Sequence, residues 1–332
     1  MSHRAFIERI SAATYYDQVR RGLEYIRFGD LLPPNGKVFI KPNLTYPTYQ
    51  PGVMTSPTAI EAALRAIREY TPNIFIGDAD SGGYNRFSMD EVYRETGVST
   101  LAERYGVNLV NLSRLERRAI TFRYRGKVFH LDLPRLLTDE IDMLVTMPVP
   151  KIHMNTGVSL SFKNQWGCIP EPADRLRLHP YFQRVILEVN RAIKTRVTIL
   201  DGTYGLNVSG PLRGTPVPLN WVLVADHPGV AARLGCELMG VPLRSIAHLR
   251  YAERLGVVPP RTAVVLNQSL TPFIGERFYL KRKWTDYPGM LAFKSPFLAY
   301  IAYFSPLSDL LHRLLYLVRE PFYDYEKYGK PK

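Results

Sequence analysis

Short apolar runs rich in β-branched residues alternate with helix-like segments along most of this chain. The strand-like runs are residues 37–40, 73–76, 108–110, 141–147, 197–200 and 221–224. The helix-like segments lie at residues 56–70, from residue 88, at 181–194 and at 230–239. Because strands that alternate with helices favour parallel pairing, we predict an α/β fold. Its doubly wound, mostly parallel sheet is expected to form two lobes with a cleft.

Capping and turn signals give the expected ends of several elements. Ser56 followed by Pro57 suits a helix start, and Ser88-Met89-Asp90-Glu91 has the pattern of a capping box. The stretch 119–131 turns at Arg125-Gly126 and predicts a hairpin. The strand at 197–200 is expected to end at Asp201-Gly202, because Asp-Gly is a common turn pair.

The length of 332 residues allows more than one domain, and we predict three regions. An N-terminal lobe spans residues 1–147, a second lobe 148–270, and a helical, aromatic-rich tail 271–332. The uncharged run 295–308 has 14 residues, too few for a transmembrane helix. Two readings of the tail stay open. It packs on the body as a helical hairpin, or it contacts a membrane peripherally through residues 281–318.

The net charge of +13 favours acidic partners, which include phosphorylated ligands, nucleic acid and anionic membranes. Nucleic acid is not the expected partner, because the longest basic cluster, at residues 281–283, is short and no nucleic-acid-binding motif accompanies it. The two cysteines, Cys168 and Cys236, exclude a four-thiolate iron–sulfur cluster within one chain. With no apolar signal segment at residues 1–5, we expect a cytoplasmic protein, with association with a membrane as the alternative.

Ligands of doubly wound sheets bind beyond the carboxyl ends of the strands. This rule selects the loops after residues 40, 76, 147, 200 and 224. Carboxylates such as Asp78 and Asp80 can bind a cation or a ribose hydroxyl there, or can simply form turns. The candidate substrate-binding residues are Lys41, Asn43, Asp80, Asn164 and Asp201.

The densest group of reactive side chains lies at residues 148–167, directly after the buried run 141–147. Lys151, His153 and Lys163 are the candidate catalytic residues. The two lysines would neutralise a carboxylate or phosphate, and the histidine would transfer protons. The alternative is a solvated loop followed by a helix start. Small residues within the segment permit a ligand to approach closely, which favours the functional reading.

An ordered set of short motifs runs through residues 35–245. The motifs are Ile40-Lys41-Pro42-Asn43-Leu44, Thr55-x-Pro57, Asp78 to Gly82, Met147-x-x-x-Lys151-x-His153, Phe162-Lys163-Asn164-x-x-Gly167, Asp201-Gly202 and Gly210-Pro211-x-x-Gly214. In this order they resemble the widespread prokaryotic family of domains of unknown function numbered 362. Some members of that family carry ferredoxin-type cysteines, which this chain lacks. The family also has a second acidic residue shortly after the aspartate matched by Asp226, and residues 227–231 do not supply it.

The spacing of His153, Lys163 and His179 is similar to that in lactate racemase-type enzymes, which use a nickel pincer nucleotide. This likeness implies that Lys163 tethers the cofactor, His179 ligates nickel and His153 moves protons at the substrate carbon. Imidazole is a reasonable nickel ligand. The cofactor stays open at this stage, with the nickel pincer nucleotide or another divalent metal as candidates and no iron–sulfur cluster.

The leading hypothesis is an enzyme that acts on a small anionic substrate, a carboxylate or a phosphate. The alternatives are a nickel-dependent racemase or epimerase, and a binding or scaffold protein held at a membrane by its tail. No G-x-S-x-G, P-loop or G-x-G-x-x-G motif supports a serine hydrolase, a kinase or a dinucleotide dehydrogenase. The remaining histidines that receive no role are His3, His130, His248 and His312.

Overall fold

The computed structural model describes residues 2–81 and 87–318. Gly82, which ends one of the matched motifs, and residues 319–332 of the predicted tail lie outside this range. The described residues form twelve strands. These are β1 His3–Arg9, β2 Val38–Pro42, β3 Ile74–Asp78, β4 Asn108–Asn111, β5 Arg117–Tyr124, β6 Lys127–Pro134, β7 Met143–Met147, β8 Lys151–His153, β9 Gly157–Ser159, β10 Thr195–Asn207, β11 Thr215–Ala225 and β12 Val264–Leu266.

Thirteen α-helices accompany the strands in the same described ranges. They are α1 Tyr15–Tyr25, α2 Phe28–Leu31, α3 Pro57–Arg68, α4 Met89–Glu95, α5 Val98–Tyr105, α6 Ser161–Asn164, α7 Pro172–Arg177, α8 Phe182–Ala192, α9 Pro228–Leu238, α10 Ala247–Arg254, α11 Tyr287–Ala292, α12 Pro296–Tyr303 and α13 Ser308–Tyr316.

Ten strands join in one mixed, mostly parallel sheet, which confirms the predicted α/β class. Its order is β12-β1-β11-β10-β7-β2-β3-β4, with β8 and β9 attached to β10, while β5 and β6 form a separate hairpin. Strands from both predicted lobes hydrogen-bond within this sheet, for example β7 with β10. The predicted boundary between residues 147 and 148 therefore falls inside the sheet, and the three-region division stays a prediction.

Alternate residues of the central strands enter hydrophobic clusters on opposite faces of the sheet. Val38 and Ile40 of β2 pack in one cluster with helices α1 and α3, whereas Phe39 packs in the other with α8 and α9. Burial on both faces explains why these strands are continuously apolar in sequence. The layers fix the sheet rigidly, so the loops at its ends hold defined positions.

One expected strand direction and one expected strand end were wrong. β11 lies antiparallel between β1 and β10 rather than parallel, so the loop after it is at the opposite end of the sheet from the loop after β2. There Asp226 lies 3.2 Å from Nδ1 of His3. β10 continues through Asp201-Gly202 instead of turning, because a bulge between Gly202 and Tyr204 keeps it paired with β11.

The helix starts are confirmed, but one cap differs from its prediction. Ser56 accepts a hydrogen bond from the backbone N–H of Ala59 at 3.2 Å and so caps α3. Ser88 makes no such bond at the start of α4. The carboxylate of Asp80 instead accepts from the N–H of Met89 at 2.6 Å. The helix begins where predicted, but Asp80 caps it instead of Ser88, so the capping-box prediction for residues 88–91 was wrong.

The tail is helical, as predicted, and its short helices α11, α12 and α13 lie over the main body. The ring of Phe293, just after α11, lies 4.4 Å from the imidazole ring of His179 between their centroids. Helix α12 also contacts α7 of the body. None of the helices in the described ranges has the length and apolarity that crossing a membrane requires.

Candidate functional site

A cavity of about 820 Å³ opens where β2, β3 and β7 end, beneath the tail helices. This is the end of the sheet at which ligands bind in doubly wound folds. Two of the sequence-predicted site residues, Asp80 and Asp201, are not in its wall. The other seven line it, namely Lys41, Asn43, Lys151, His153, Lys163, Asn164 and His179.

A buried ion pair forms the deepest part of the cavity. Nζ of Lys41, at the end of β2, lies 2.7 Å from the carboxylate of Asp78, at the end of β3, and both side chains are at most 5% exposed. Gly167 lies directly against this pair. A Cβ atom at Gly167 would come within 2.7 Å of the Asp78 carboxylate. The glycine of the K-N-x-x-G motif is thus explained by the close approach of backbone to the ion pair.

The carbonyl oxygen of Val53 connects two of the sequence motifs. It accepts hydrogen bonds from Nδ2 of Asn43 and from Nζ of Lys151, each at 2.6 Å. Asn43 is also bonded through its backbone N–H to Oγ1 of Thr55 at 2.8 Å. The asparagine of K-P-N, the threonine of T-x-P and the lysine of K-x-H are therefore held in one network.

Asn164 ties the K-N-x-x-G segment to two neighbouring strands. Its Nδ2 donates to the backbone oxygen of Lys41 at 3.1 Å and to Oγ1 of Thr146 at 2.9 Å. Gln165 accepts from the same threonine hydroxyl at 3.1 Å. These bonds fix helix α6, which presents Lys163 to the cavity. Asn164 is thus a positioning residue in this geometry.

The charge in the cavity wall is unbalanced. Its described lining contains four lysine and arginine side chains, Lys41, Lys151, Lys163 and Arg175, and a single carboxylate, that of Asp78. Burial, with the neighbouring charges of Lys163 and Lys41, lowers the pKa of Lys151 to about 7. Burial, with the charges of Arg175 and Lys41, lowers the pKa of Lys163 to about 7. Both amines can therefore bind an anion or exchange a proton near neutral pH.

The charge of Lys163 acts on three buried imidazole groups. Burial lowers the pKa of His153 well below its ordinary value, and it lowers those of His179 and His248 to about 3, in each case with a contribution from the charge of Lys163. All three rings are therefore neutral at physiological pH. Nδ1 of His153 accepts from the N–H of Asn155 at 3.2 Å, so its proton resides on Nε2.

The two acids outside the cavity serve the fold. Asp80 accepts from Nδ2 of Asn111 at 2.8 Å in addition to starting α4. Asp201 is buried and accepts from the hydroxyl of Tyr15 at 2.9 Å and from the N–H of Ser56 at 2.7 Å. These bonds use the carboxylates, so the geometry does not support the predicted substrate-binding role of either residue. Asp78, two positions earlier, is the carboxylate that reaches the cavity.

Several lining residues were not among the predicted site residues. Arg175 and Asn155 each have one buried polar atom, Nε and Oδ1 respectively, with no hydrogen-bond partner among the described residues. His248, to which we assigned no role, is not a lining residue, but it is buried and packs edge-on against Phe182, which in turn stacks with the lining residue His179. The sequence offered one indication for Arg175, because it lies twelve residues after Lys163, between the catalytic candidates and His179. It offered none for His248.

This arrangement suits the binding and proton chemistry of an anion. Lysine and arginine side chains with one compensating carboxylate attract negative charge, and partly neutral amines with an adjacent imidazole can move protons. For a metal, no cluster of three or more His, Cys, Asp or Glu side chains in the described part of the chain is arranged as a binding site. Lys163 and His179, which the racemase spacing pairs, do line the same cavity.

Comparison with known proteins adds one relative and two solved structures. The chain is 25% identical over 248 residues to the thylakoid-associated protein sll1697 of Synechocystis sp., covering 70% of this chain and 71% of the relative. It is similar to the lactate racemase apoprotein of Thermoanaerobacterium thermosaccharolyticum, with 19% identity over 72% of this chain and a TM-score of 0.46. A protein from Thermotoga maritima matches with 12% identity over 63% of this chain and a TM-score of 0.37.

The chain spans 57% and 54% of the lengths of those two solved chains, less than two thirds of either. The family described as Domain of unknown function (DUF362) matches residues 38–236, more than half of the chain. This range contains the ion pair of Lys41 and Asp78 and the catalytic candidates Lys151, His153 and Lys163. The chain therefore belongs to the DUF362 family.

Proposed function

We propose that this protein is an enzyme that acts on an anionic substrate, a carboxylate or a phosphate, in the cavity described above. One observation carries the proposal, namely the excess of cationic side chains over carboxylates in the wall. Among the described residues, no carboxylate lies within 4 Å of Nζ of Lys151 or Lys163, whereas Lys41 has Asp78. Buried charges without partners are costly, and a bound anion would supply the partner.

The roles follow from the positions of the groups. Lys163 and Lys151 would hold the anionic group, with Arg175 as a third donor. His153, neutral and protonated on Nε2, would donate a hydrogen bond or exchange a proton with the substrate. Lys41 is already paired with Asp78 and would contribute its charge rather than a free donor. Asn43 and Asn164 would hold the loops in place.

The affinity of the protein for sulfate is expected to fall about tenfold as the pH rises from 6 to 9. Sulfate keeps its two charges over this range, whereas Lys151 and Lys163, whose pKa values are lowered to about 7, are charged below that pH and lose their protons above it. Isothermal titration calorimetry at several pH values measures the effect. A dissociation constant that does not change with pH would contradict the proposed anion site.

A second candidate function is peripheral binding to an anionic membrane. The observation that favours it is the number of large apolar side chains that the tail leaves exposed, among them Trp284 at 70% and Phe297 at 68%. Trp284 directly follows the basic residues Lys281, Arg282 and Lys283 in the sequence. A surface that combines exposed aromatic residues with cations is typical of proteins that bind the interface of anionic bilayers. The relative from Synechocystis is itself named as thylakoid-associated.

Full-length protein is expected to float with vesicles that contain phosphatidylglycerol and to stay in solution with purely zwitterionic vesicles. The triple variant Trp284→Ser, Phe297→Ser and Leu310→Ser, which changes no cavity-lining residue, should lose most of this binding. A matched control replaces the exposed residues Val128, Leu255 and Val265 of the body by serine. Equal flotation of the two triple variants would remove the membrane candidate.

The nickel-dependent racemase alternative stays a prediction. The chemistry of the donor set is compatible with it, because a neutral imidazole at His179 is the form that ligates a metal and an uncharged amine at Lys163 is nucleophilic. In that case Lys163 and His179 would hold the cofactor, which would supply hydride chemistry at the substrate carbon. No observation on the described residues favours this alternative over the general anion site.

A further inference from the structure

The tail and the body contribute different side chains to the cavity wall. The lysines, Arg175 and Asp78 all come from the body, whereas the tail supplies more than half of the apolar lining residues. The rest of the apolar lining comes from the body, for example Leu44, Met154 and Leu212. The apolar tail residues in the wall are Pro288, Leu291, Ala292, Phe293, Leu298, Ile301, Ala302, Leu311, Leu314 and Leu315.

We infer that the ligand of this cavity is an amphiphile with an anionic head and a single apolar chain. The head would lie against Lys151 and Lys163, and the chain would run along α12 and α13. This inference rests on the proposed function for the head and adds the class of the substrate. A small anion alone would leave the tail side of the cavity without a role.

The exposure of the apolar tail residues in the wall supports this assignment. Leu298, Leu311 and Leu314 line the cavity and yet remain 39% to 53% exposed. Large apolar side chains that face a concave, unfilled space contribute little to stability until something covers them. An apolar chain of a ligand would cover them and remove their surface from water.

The tail and the body are in direct contact at the aromatic rings between them. Phe293 of the tail lies 4.4 Å from His179 of the body between ring centroids, and Tyr303 stacks on Phe293 at 5.4 Å. Nζ of Lys163 lies 5.4 Å from the ring of Phe182, which stacks on His179. A row of aromatic rings therefore connects Lys163 to the tail. A ligand with a charged head at Lys163 could lay its apolar chain along these rings.

The size of the cavity agrees with such a ligand. Pockets that enclose drug-sized molecules have volumes of roughly 300–1,000 Å³. The volume of about 820 Å³ lies near the upper end of that range. A lactate-sized or phosphate-sized anion would fill only a small part of it, and the remainder is the part that the tail leucines enclose.

The test is a series of alkyl phosphates titrated into the full-length protein by calorimetry below their critical micelle concentrations. Each buried methylene adds about fourfold in affinity at most. Octyl phosphate is therefore expected to bind at least about ten times more tightly than butyl phosphate, since part of the added chain stays in water. Octyl trimethylammonium, with the opposite charge on the same chain, is expected not to bind.

Two substitutions on α13 test where the alkyl chain of the ligand binds. Leu315→Gln places a polar group in the cavity wall and should weaken octyl phosphate binding at least about fivefold while leaving butyl phosphate unchanged. Leu310→Gln, on the same helix but outside the wall, is the matched control and should leave both affinities unchanged. Because Leu310 is 55% exposed and Leu315 is also near the surface, both variants should fold.

The outcomes separate this inference from the proposed function. Equal binding of butyl and octyl phosphate, with no effect of Leu315→Gln, would overturn the amphiphile and leave the anion site in place. Failure of every phosphate to bind would overturn both. A preference for octyl phosphate that disappears in Leu315→Gln and persists in Leu310→Gln would support the assignment.

Discussion

Replacing Asp78 by asparagine is expected to lower the free energy of unfolding by about 3–5 kcal/mol, the usual cost of removing one partner of a buried ion pair. Lys41, 1% exposed, would lose the carboxylate that lies 2.7 Å from its Nζ. The same carboxylate accepts from the N–H of Leu44 at 3.2 Å and of Ala79 at 2.9 Å. Chemical denaturation followed by circular dichroism measures the loss.

The charge of the cavity makes this substitution more damaging than an ordinary broken pair. Asp78 is the single carboxylate in the described lining, so Asp78→Asn leaves Lys41, Lys151 and Lys163 with no compensating charge nearby. Sulfate should therefore stabilise the variant more than it stabilises the wild type. Should the variant unfold with a free energy within about 1 kcal/mol of wild type, the ion pair would not hold the site together.

Two controls separate the ion pair from a general loss of charge. Asp90→Asn removes an exposed carboxylate that pairs with Arg114 on the surface and should cost less than about 1 kcal/mol. The double variant Lys41→Met and Asp78→Asn removes both charges and should be more stable than Asp78→Asn alone, because the ammonium group of Lys41 is no longer left buried without its partner.

The layered architecture could be predicted from the sequence because it follows from local patterns of apolar residues. The largely apolar, fully buried run of β7 and the strand–helix alternation before it identify a parallel sheet buried on both faces. The direction of β11 could not be predicted in this way. A strand has the same local pattern whether it pairs in parallel or antiparallel, and only its partners β1 and β10 decide. β1 itself, at His3–Arg9, was missed.

Site residues that follow strand ends could be predicted from the sequence. Lining residues that come from distant parts of the chain, such as the tail, could not. Lys41, Lys151 and Lys163 follow strands or lie in the segment after one, so the sheet rule places them together. Of the two carboxylates considered after β3, Asp78 at the end of the strand reaches the cavity, whereas Asp80 in the loop caps a helix.

The tail shows the limit of local pattern most clearly. Its composition predicts helices, and they form. The contact between Phe293 and His179 joins residues 114 positions apart, and nothing in either local sequence indicates the other. The sequence alone therefore could not predict that apolar residues of the tail line the cavity.

Replacing Lys163 by methionine is expected to weaken the binding of sulfate and of alkyl phosphates by about tenfold to a hundredfold, the loss of one charge-assisted hydrogen bond. The same variant should be more stable than the wild type when no ligand is present. Burial lowers the pKa of Lys163 to about 7 in the folded protein, whereas in the unfolded chain a lysine keeps a pKa near about 10.4.

The sign of the stability effect follows from proton uptake. Between pH 7 and 10 the unfolded chain holds a proton on this lysine that the folded protein has released, so the stability of the wild type rises with pH across that window. Below pH 7 the folded protein carries the full cost of the buried charge, and methionine removes it. We expect a gain on the order of 2–4 kcal/mol at pH 6 and almost none near pH 10.

Lys194→Met is the matched control, because Nζ of Lys194 is held by the backbone oxygen of Ile141 at 2.6 Å outside the cavity wall. It should change neither anion affinity nor the slope of stability with pH. Denaturation curves from pH 6 to 10 and calorimetry with sulfate give both quantities for the three proteins. A Lys163→Met variant that binds anions as the wild type does, with an unchanged pH slope, would show that this amine is an ordinary solvated lysine. The combination of greater stability and lost binding is instead the signature of a residue kept for function at the expense of the fold.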